Sequence, residues 1–332
     1  MIRVLLVLII ILSSCNENKK SSNQLRGEAF GTYYYITSAD DKDLDDIRPS
    51  IDNLVDSINE SMSTYKRSSI ISNLNRKKSH DVDEMFMTVF NRSKSIYEDT
   101  NGYFDPTIGV LVNHYGFGSE KKSSSDVGLD SLKKLVGFNK LSKEGNTIIK
   151  KFPQIHLDFN SIAKGFAVDK FADHLTHNGY KDFLIDIGGE IYARGKKNKD
   201  QLWTIGVDKP SKKNNTSTRK LSTKIGLQNK AMATSGNYRK YKVDSKTGKE
   251  TVHTINPITG KAEPSDILSA SIVAEDCMTA DAYATAFMAM GQQKTMDFLD
   301  TNTYLDAFII YRSNNGIEKT YVTKGFEQLM ID

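Results

Sequence analysis

The chain has 332 residues, of which 38% are hydrophobic and 26% charged, with a formal net charge of +4. That is enough material for a well-buried core in one large domain or two smaller lobes, and the balance is that of a globular protein rather than a disordered or fibrous one. A surplus of +4 spread among interleaved acids is too weak a basic field to point to nucleic acid.

The first fifteen residues read as an export signal. Arg3 gives a positive start, and residues 4–12 form an unbroken apolar run. The run is too short to span a bilayer as a helix but has the length of a signal-peptide core. Leu12-Ser13-Ser14-Cys15 follows and resembles the bacterial lipobox, in which the cysteine is diacylated and becomes the mature N-terminus. The other reading is an ordinary cleaved signal with an incidental cysteine. Acyl chains contribute about 0.8 kcal/mol per buried methylene, so two or more of them anchor a protein firmly. With Cys15 lipidated, Cys277 has no partner and no intrachain disulfide is expected. Residues 1–15 are therefore assigned to the signal and residues 16–26 to a flexible polar tether. The folded domain is assigned to residues 27–332, with no later stretch apolar enough to cross a membrane.

Along the domain, residues 32–37 read as a strand and residues 46–61 as a helix, with Ile47, Ile51, Leu54, Val55 and Ile58 on one face. Pro49 is tolerated in the first turn of that helix. A second helix is expected near 85–98, a polar loop at 121–125 and a short helix at 129–136. Strands are expected at 147–150 and 155–159, then a helix at 161–178 stopped by Gly179. A buried strand at 183–187 ends at Gly188-Gly189, and several strands lie between 191 and 255, split by a polar loop at 211–218. A strand at 267–274 leads to a helix capped by Asp276 or Thr279 and stopped at Gly291. A helix at 292–299 and strands at 307–311 and 320–323 close the chain. Helices and strands lack a regular βαβ rhythm, and there is no G-x-G-x-x-G fingerprint. The pattern predicts an α+β fold with mixed or antiparallel sheets and packed helices, not a doubly wound nucleotide fold.

Five segments carry chemistry-bearing residues. Asp281 and Thr285 are four apart on a predicted helix, so a carboxylate and a hydroxyl share one face. A hard cation such as Mg2+ takes such oxygens, yet a solvent-facing Asp beside a packed Thr has the same spacing. Residues 156–165 run from a strand through an acid, Asp158, into a helix N-terminus suited to phosphate, although Asp158 reads equally as an N-cap. Residues 102–118 place Tyr103, Phe104 and Phe117 among glycines, as a loop around a flat ligand or as core anchors. Tyr65 either stacks on a ring or covers the core. His253, in the turn-rich segment 253–260, is an acid–base candidate or a structural histidine.

Taken together these segments resemble the ApbE family of FAD:protein FMN transferases. The resemblance is carried by Gly31-Thr32, Met62-Ser63-Thr64-Tyr65, Phe104-Asp105 through Gly118, and Leu157-Asp158 through Gly165. Gly188-Gly189, Ala233-Thr234-Ser235-Gly236, His253 through Gly260, and Ala280-Asp281-Ala282-Tyr283-Ala284-Thr285 complete it. The family implies two lobes around an FAD cleft. It implies Asp281 and Thr285 as Mg2+ side-chain ligands, with Ser161 contributing its carbonyl and Ala284 only its backbone. Tyr65, Tyr103, Phe104, Asp105, Asp158, Lys164 and Ile255 fall where the family contacts FAD. Phe30 stands where many members carry Met beside the flavin, His114-Tyr115 where a Leu-Trp-like pair is common, and Asn160 where Gly or Ser is common.

The implied reaction is phosphoryl transfer. An acceptor Thr or Ser hydroxyl attacks the FMN-side phosphorus of FAD, AMP leaves, and FMN remains as a phosphoester, with His253 as the expected base and Asp281 as the metal carboxylate. The expected clients are membrane electron-transfer flavoproteins facing the periplasm or another extracytoplasmic space. No Asp-Gly-x-Ser/Thr-Gly-Ala-Ser/Thr acceptor motif occurs in the chain, so self-modification is not expected. FAD pyrophosphatase activity, a non-catalytic FAD-binding lipoprotein and a solute-binding lipoprotein are the rival readings.

Overall fold

A computed structural model describes residues 23–120, 128–210, 220–237, 241–243 and 250–331. Cys15 and its apolar run lie outside the described residues, as do the polar loops expected at 121–125 and 211–218.

Eight strands form one sheet whose spatial order follows the chain. They are Gln24–Ala29, Thr32–Ser38, Phe183–Ile187, Glu190–Arg194, Lys230–Gly236, Ile267–Ala274, Asp306–Arg312 and Glu318–Val322. Every pairing in it is antiparallel. Among the described residues the one parallel contact is an isolated bridge between Ile108 and His156. The α+β class with antiparallel sheets and packed helices is thus what the chain adopts.

The sheet is covered on both faces, and strand alternation shows how. Ala231 and Ala233 point into a large core built with helices, while Met232 points to the other side. Ala307 and Ile309 likewise face the helices, and Phe308 and Ile310 the opposite layer. That layer is a three-stranded sheet of Trp203–Asp208, Leu221–Leu227 and Met330–Ile331. Burial on both faces is why Phe183–Ile187 reads as a nearly continuous apolar run.

The helices follow their apolar spacing. Arg48–Met62 buries Ile51, Val55, Ile58 and Met62 on one stripe. Ala163–His177 buries Phe166, Phe171 and Leu175 against the sheet; each such side chain contributes roughly 1.5–3 kcal/mol. Cys277–Met290 is buried nearly all round. Its alanines at 280, 282, 284 and 286 let neighbouring backbone come close. Asp276 caps it, Oδ1 accepting from Thr279 N at 2.7 Å, and Gly291 ends it at φ +78°.

The first strand begins at Gln24, ahead of the expected start near Gly27, because Gln24, Leu25 and Arg26 pair with Thr37, Ile36 and Tyr35. The strand expected at 155–159 does not form. Ile155, Leu157 and Phe159 alternate into the core as strand residues would. Their backbone partners lie elsewhere: Leu157 N donates to Asn75 Oδ1 (2.8 Å), Asn75 Nδ2 to Leu157 O (2.9 Å), and Asp158 N to Pro106 O (2.8 Å). Nor is the glycine-rich segment all loop, since Gly109–His114 is a short helix. It lies against His156, where a Cβ on Gly109 would sit 3.0 Å from the His156 carbonyl carbon.

Candidate active site

Two helix N-termini meet at the centre of the site. The first turn of Ala163–His177 has no side-chain cap of its own. Instead Asp281 Oδ2 accepts from Gly165 N at 3.0 Å. In return Asp169, one turn further along that helix, accepts from Cys277 N (2.7 Å) and Met278 N (2.8 Å) at the start of the other. Each helix supplies the carboxylate that satisfies the other's free N–H groups. Only glycine fits at 165, where a Cβ would strike the Cys277 carbonyl and lie 2.7 Å from Met278 Cα. Burial drives the Asp169 carboxyl up to about 7 although both N–H groups pull it down.

Lys164 projects beside this junction and pairs with Glu190 at 2.5 Å. Glu190 is buried and follows Gly188-Gly189 on its strand. Burial alone would lower the Lys164 ammonium, but the Asp281 and Glu190 charges outweigh it and hold it above the usual lysine range. The Cys277 thiol is pushed well up by burial and by the Asp169, Asp281 and Glu190 charges, so it is not a nucleophile. Thr285, one turn beyond Asp281, has its Oγ1 3.3 Å from Ser235 Oγ.

Asp281, Thr285 and Ser235 offer oxygen only. Among the described residues no cluster of three or more His, Cys, Asp or Glu is placed to hold a metal ion. A single carboxylate and hydroxyls fit Mg2+, which keeps water and substrate phosphate oxygens in its octahedron, and do not fit a thiolate- or imidazole-seeking ion. Ser161 is half-buried in the turn before the first helix, so its carbonyl is outside the helical ladder. Ala284 is fully buried inside the second helix, where its carbonyl belongs to the ladder.

The remaining predicted residues differ in burial and in partners. Tyr65 is 67% exposed and lies close enough to Asp158 for that carboxylate, after partial burial, to raise its hydroxyl. Asp158 does not cap the helix. It is buried, its Oδ1 accepts from Asn160 N at 2.8 Å, and burial raises its carboxyl. Phe104 is 2% exposed and is a core anchor. Asp105 is also buried and holds its own loop, Oδ1 accepting from Thr107 N (2.8 Å) and Thr107 Oγ1 (2.7 Å). Tyr103 is more open, with Lys294 Nζ 5.8 Å from its ring centre. Ile255 is buried with Leu111, Val136 and Ala262.

His253 is half-buried at the end of the short strand Glu250–Val252. The segment after it ties two parts of the site together. Asn256 Nδ2 donates to Ala289 O at 3.0 Å on the Cys277–Met290 helix, and Tyr115 OH donates to Gly260 O at 3.1 Å.

Phe30 and Gly31 turn the first hairpin with φ of +52° and +75°. A positive φ is unusual for a bulky side chain and costs roughly 1–2 kcal/mol. Phe30 borders an open groove of about 490 Å³ together with Glu28, Tyr33, Val55, Asp56 and Asn59. Thr32 at this turn packs on Gly188, where a Cβ would meet Thr32 Cγ2 at 2.8 Å. A larger groove of about 660 Å³ passes Arg92, Asp169 and Asp276 and contains none of the candidate site residues named from the sequence.

Four residues at the junction have no site role assigned from the sequence: Asp169 and Glu190, and Gly165 and Ser235, which stand only within the motifs that carry the resemblance. One was within reach of a sequence argument. Ser235 shares strand parity with Ala231 and Ala233, which face the helices. Gly165 and Asp169 depend on how the two helices cross, and Glu190 on how its strand lies beside Lys164.

The ApbE family model matches residues 30–309, a span that runs from Phe30 past Thr285. The FAD:protein FMN transferase of Vibrio cholerae is 32% identical, with 98% of each chain covered. That of Haemophilus influenzae is 31% identical, covering 97% of this chain and 94% of its own. The solved structure of the Vibrio cholerae flavin transferase ApbE superposes with a TM-score of 0.81 at 31% identity, over 92% of this chain and 98% of that one.

Proposed function

The chain belongs to the ApbE family, and from that premise we propose that this FAD:protein FMN transferase works with Mg2+, joins FMN by a phosphoester to a Thr or Ser of another protein, and releases AMP. The observation that carries the reading is the Gly165–Asp281 contact, which brings a carboxylate, a hydroxyl at Thr285 and the Lys164 ammonium to one helix junction. Such a group suits a pyrophosphate: the helix N-terminus and Lys164 attract its charge, and oxygens of Asp281 and Thr285, with the Ser161 carbonyl, would hold the cation. When bound, Mg2+ supplies neutralisation of charge on the pyrophosphate and on departing AMP.

The protein's own part is chiefly alignment. Lys164, kept protonated between two carboxylates, binds a phosphate oxygen. Tyr65 and the Phe30 turn flank the flavin, and the Tyr103 segment contacts FAD. The acceptor hydroxyl oxygen bonds to the FMN-side phosphorus as the bond from that phosphorus to the AMP oxygen breaks. His253 takes the hydroxyl proton and AMP leaves with the electron pair of the broken bond.

Export and anchoring through Cys15 belong to the same proposal. The apolar run and lipobox-like Leu12-Ser13-Ser14-Cys15 support it, and an extracytoplasmic, membrane-tethered enzyme would meet membrane electron-transfer flavoproteins as clients. Among the described residues no helix is long and apolar enough to cross a membrane. Incubation with FAD, Mg2+ and an acceptor protein tests the activity. Labelling with a radioactive fatty acid in cells, compared with Cys15→Ser, tests the anchor.

A further inference from the structure

Asp169 lies outside the residues that would touch FAD or the cation, yet it is bonded to the helix that carries both Asp281 and Thr285. Its carboxylate holds the N–H groups of Cys277 and Met278 at 2.7 and 2.8 Å. Cys277 starts that helix, and Asp281 is one turn on. Asp281 then returns to Gly165 N at 3.0 Å, one turn before Asp169 on the first helix. The two bonds close a ring: Asp169 to the start of the second helix, along it to Asp281, across to Gly165, and back along the first helix.

Two further features make this ring stiff. Gly165 lets the helices touch backbone to backbone, with a Cβ position 2.7 Å from Met278 Cα. Asp276, the second helix's own cap, is engaged with Thr279 and with Arg92 at 2.8 Å, so it cannot take over the Cys277 and Met278 donors. A carboxylate with one oxygen bonded to a neighbouring N–H presents its other oxygen in a fixed direction. Outer contacts of this kind set the orientation of a metal-binding carboxylate.

We propose that Asp169 is a positioning residue for the cation site: by clamping the start of the second helix to the first, it fixes the Gly165–Asp281 contact and hence the direction in which Asp281 offers its free oxygen. The inference rests on the reading of Asp281 as a cation ligand, but the clamp is measurable without any cation.

The experiment uses the full chain and two variants, Asp169→Asn and Asp169→Glu. Asn keeps the shape with a single acceptor oxygen; Glu keeps the charge and shifts the oxygens by one methylene. Amide hydrogen exchange is followed at Gly165 in metal-free protein, and Mn2+ affinity by electron paramagnetic resonance in the presence of FAD. Asp173→Asn, one turn away and exposed, is the control. Either Asp169 variant should speed Gly165 exchange and weaken Mn2+ binding, each by about tenfold or more, while Asp173→Asn does neither. If exchange quickens only at Cys277 and Met278, with Gly165 protection kept, the clamp is refuted. If wild-type protein binds no Mn2+, the cation reading fails, and Gly165 exchange still decides the clamp. Should Asp169→Asn not fold, Asp169→Glu carries the same test.

Discussion

Asp281 on one buried helix accepts the backbone N–H of Gly165 on another at 3.0 Å, so the carboxylate expected to hold a cation is also the cap of a helix N-terminus. The two roles separate under substitution. Asp281→Asn keeps a carbonyl oxygen that can accept from Gly165 N, so it should fold with a melting temperature near wild type. Its FMN transfer should fall by about a hundredfold or more, since the charge needed for the cation is gone. Asp281→Ala should in addition lose roughly 1–3 kcal/mol of stability, because a buried N–H is left unsatisfied. Thermal melts and transfer rates of the two variants check this.

Gly165→Ala tests the closeness of the helices. The added methyl meets backbone of Cys277 and Met278, which a rotamer change cannot relieve. A loss of about 1–3 kcal/mol in denaturant unfolding is expected, together with lower transfer at saturating FAD. A wild-type unfolding midpoint would mean that the helices are not packed as tightly as described.

Asp105 gives a pH signature. Burial pushes its carboxyl up to about 6 from 3.8, against hydrogen bonds from Thr107 and the Phe138 N–H and the charge of Lys140. The folded state therefore holds this proton where the unfolded state has lost it. The stability it contributes is full below about pH 4 and is lost as pH rises through about 6. Asp105→Asn, neutral throughout, should gain stability relative to wild type between pH 4 and 7, by at most about 3 kcal/mol. Paired unfolding curves across that range read the difference. Because the Asp105 carboxylate is turned into its own loop, the FAD KM should change little.

His253→Ala should lower kcat for transfer by about a hundredfold or more while leaving the KM for FAD within a few-fold, the pattern of a lost proton acceptor. A normal kcat in folded protein would remove His253 from the mechanism.

Much of the fold was readable from periodicity. The strands at Thr32–Ser38, Phe183–Ile187 and Ile267–Ala274 and the helix capped by Asp276 and stopped by Gly291 are set by local signals. Residues 155–159 misled because burial alternates there as in a strand while the backbone bonds to Asn75 and Pro106. Periodicity reports which side chains are buried, not where the N–H groups go. Asp281 and Thr285 were readable as a pair because helical spacing is local. The contacts that fix their helix were not: Gly165 and Asp169 are more than a hundred positions away in sequence and meet that helix only through the tertiary crossing. Phe104 and Asp105 fall where the family contacts FAD; that their side chains turn into the core and into their own loop is tertiary information that their spacing does not carry.

Transfer of FMN to another protein is read from the mass of an acceptor protein carrying an Asp-Gly-x-Thr-Gly-Ala-Thr segment after incubation with this enzyme, FAD and Mg2+. The acceptor should become heavier by FMN less one water, with AMP released in equal amount and no product when Mg2+ is chelated. AMP and free FMN beside an unmodified acceptor would mean hydrolysis in place of transfer, and equal transfer with and without Mg2+ would remove the cation from the reaction.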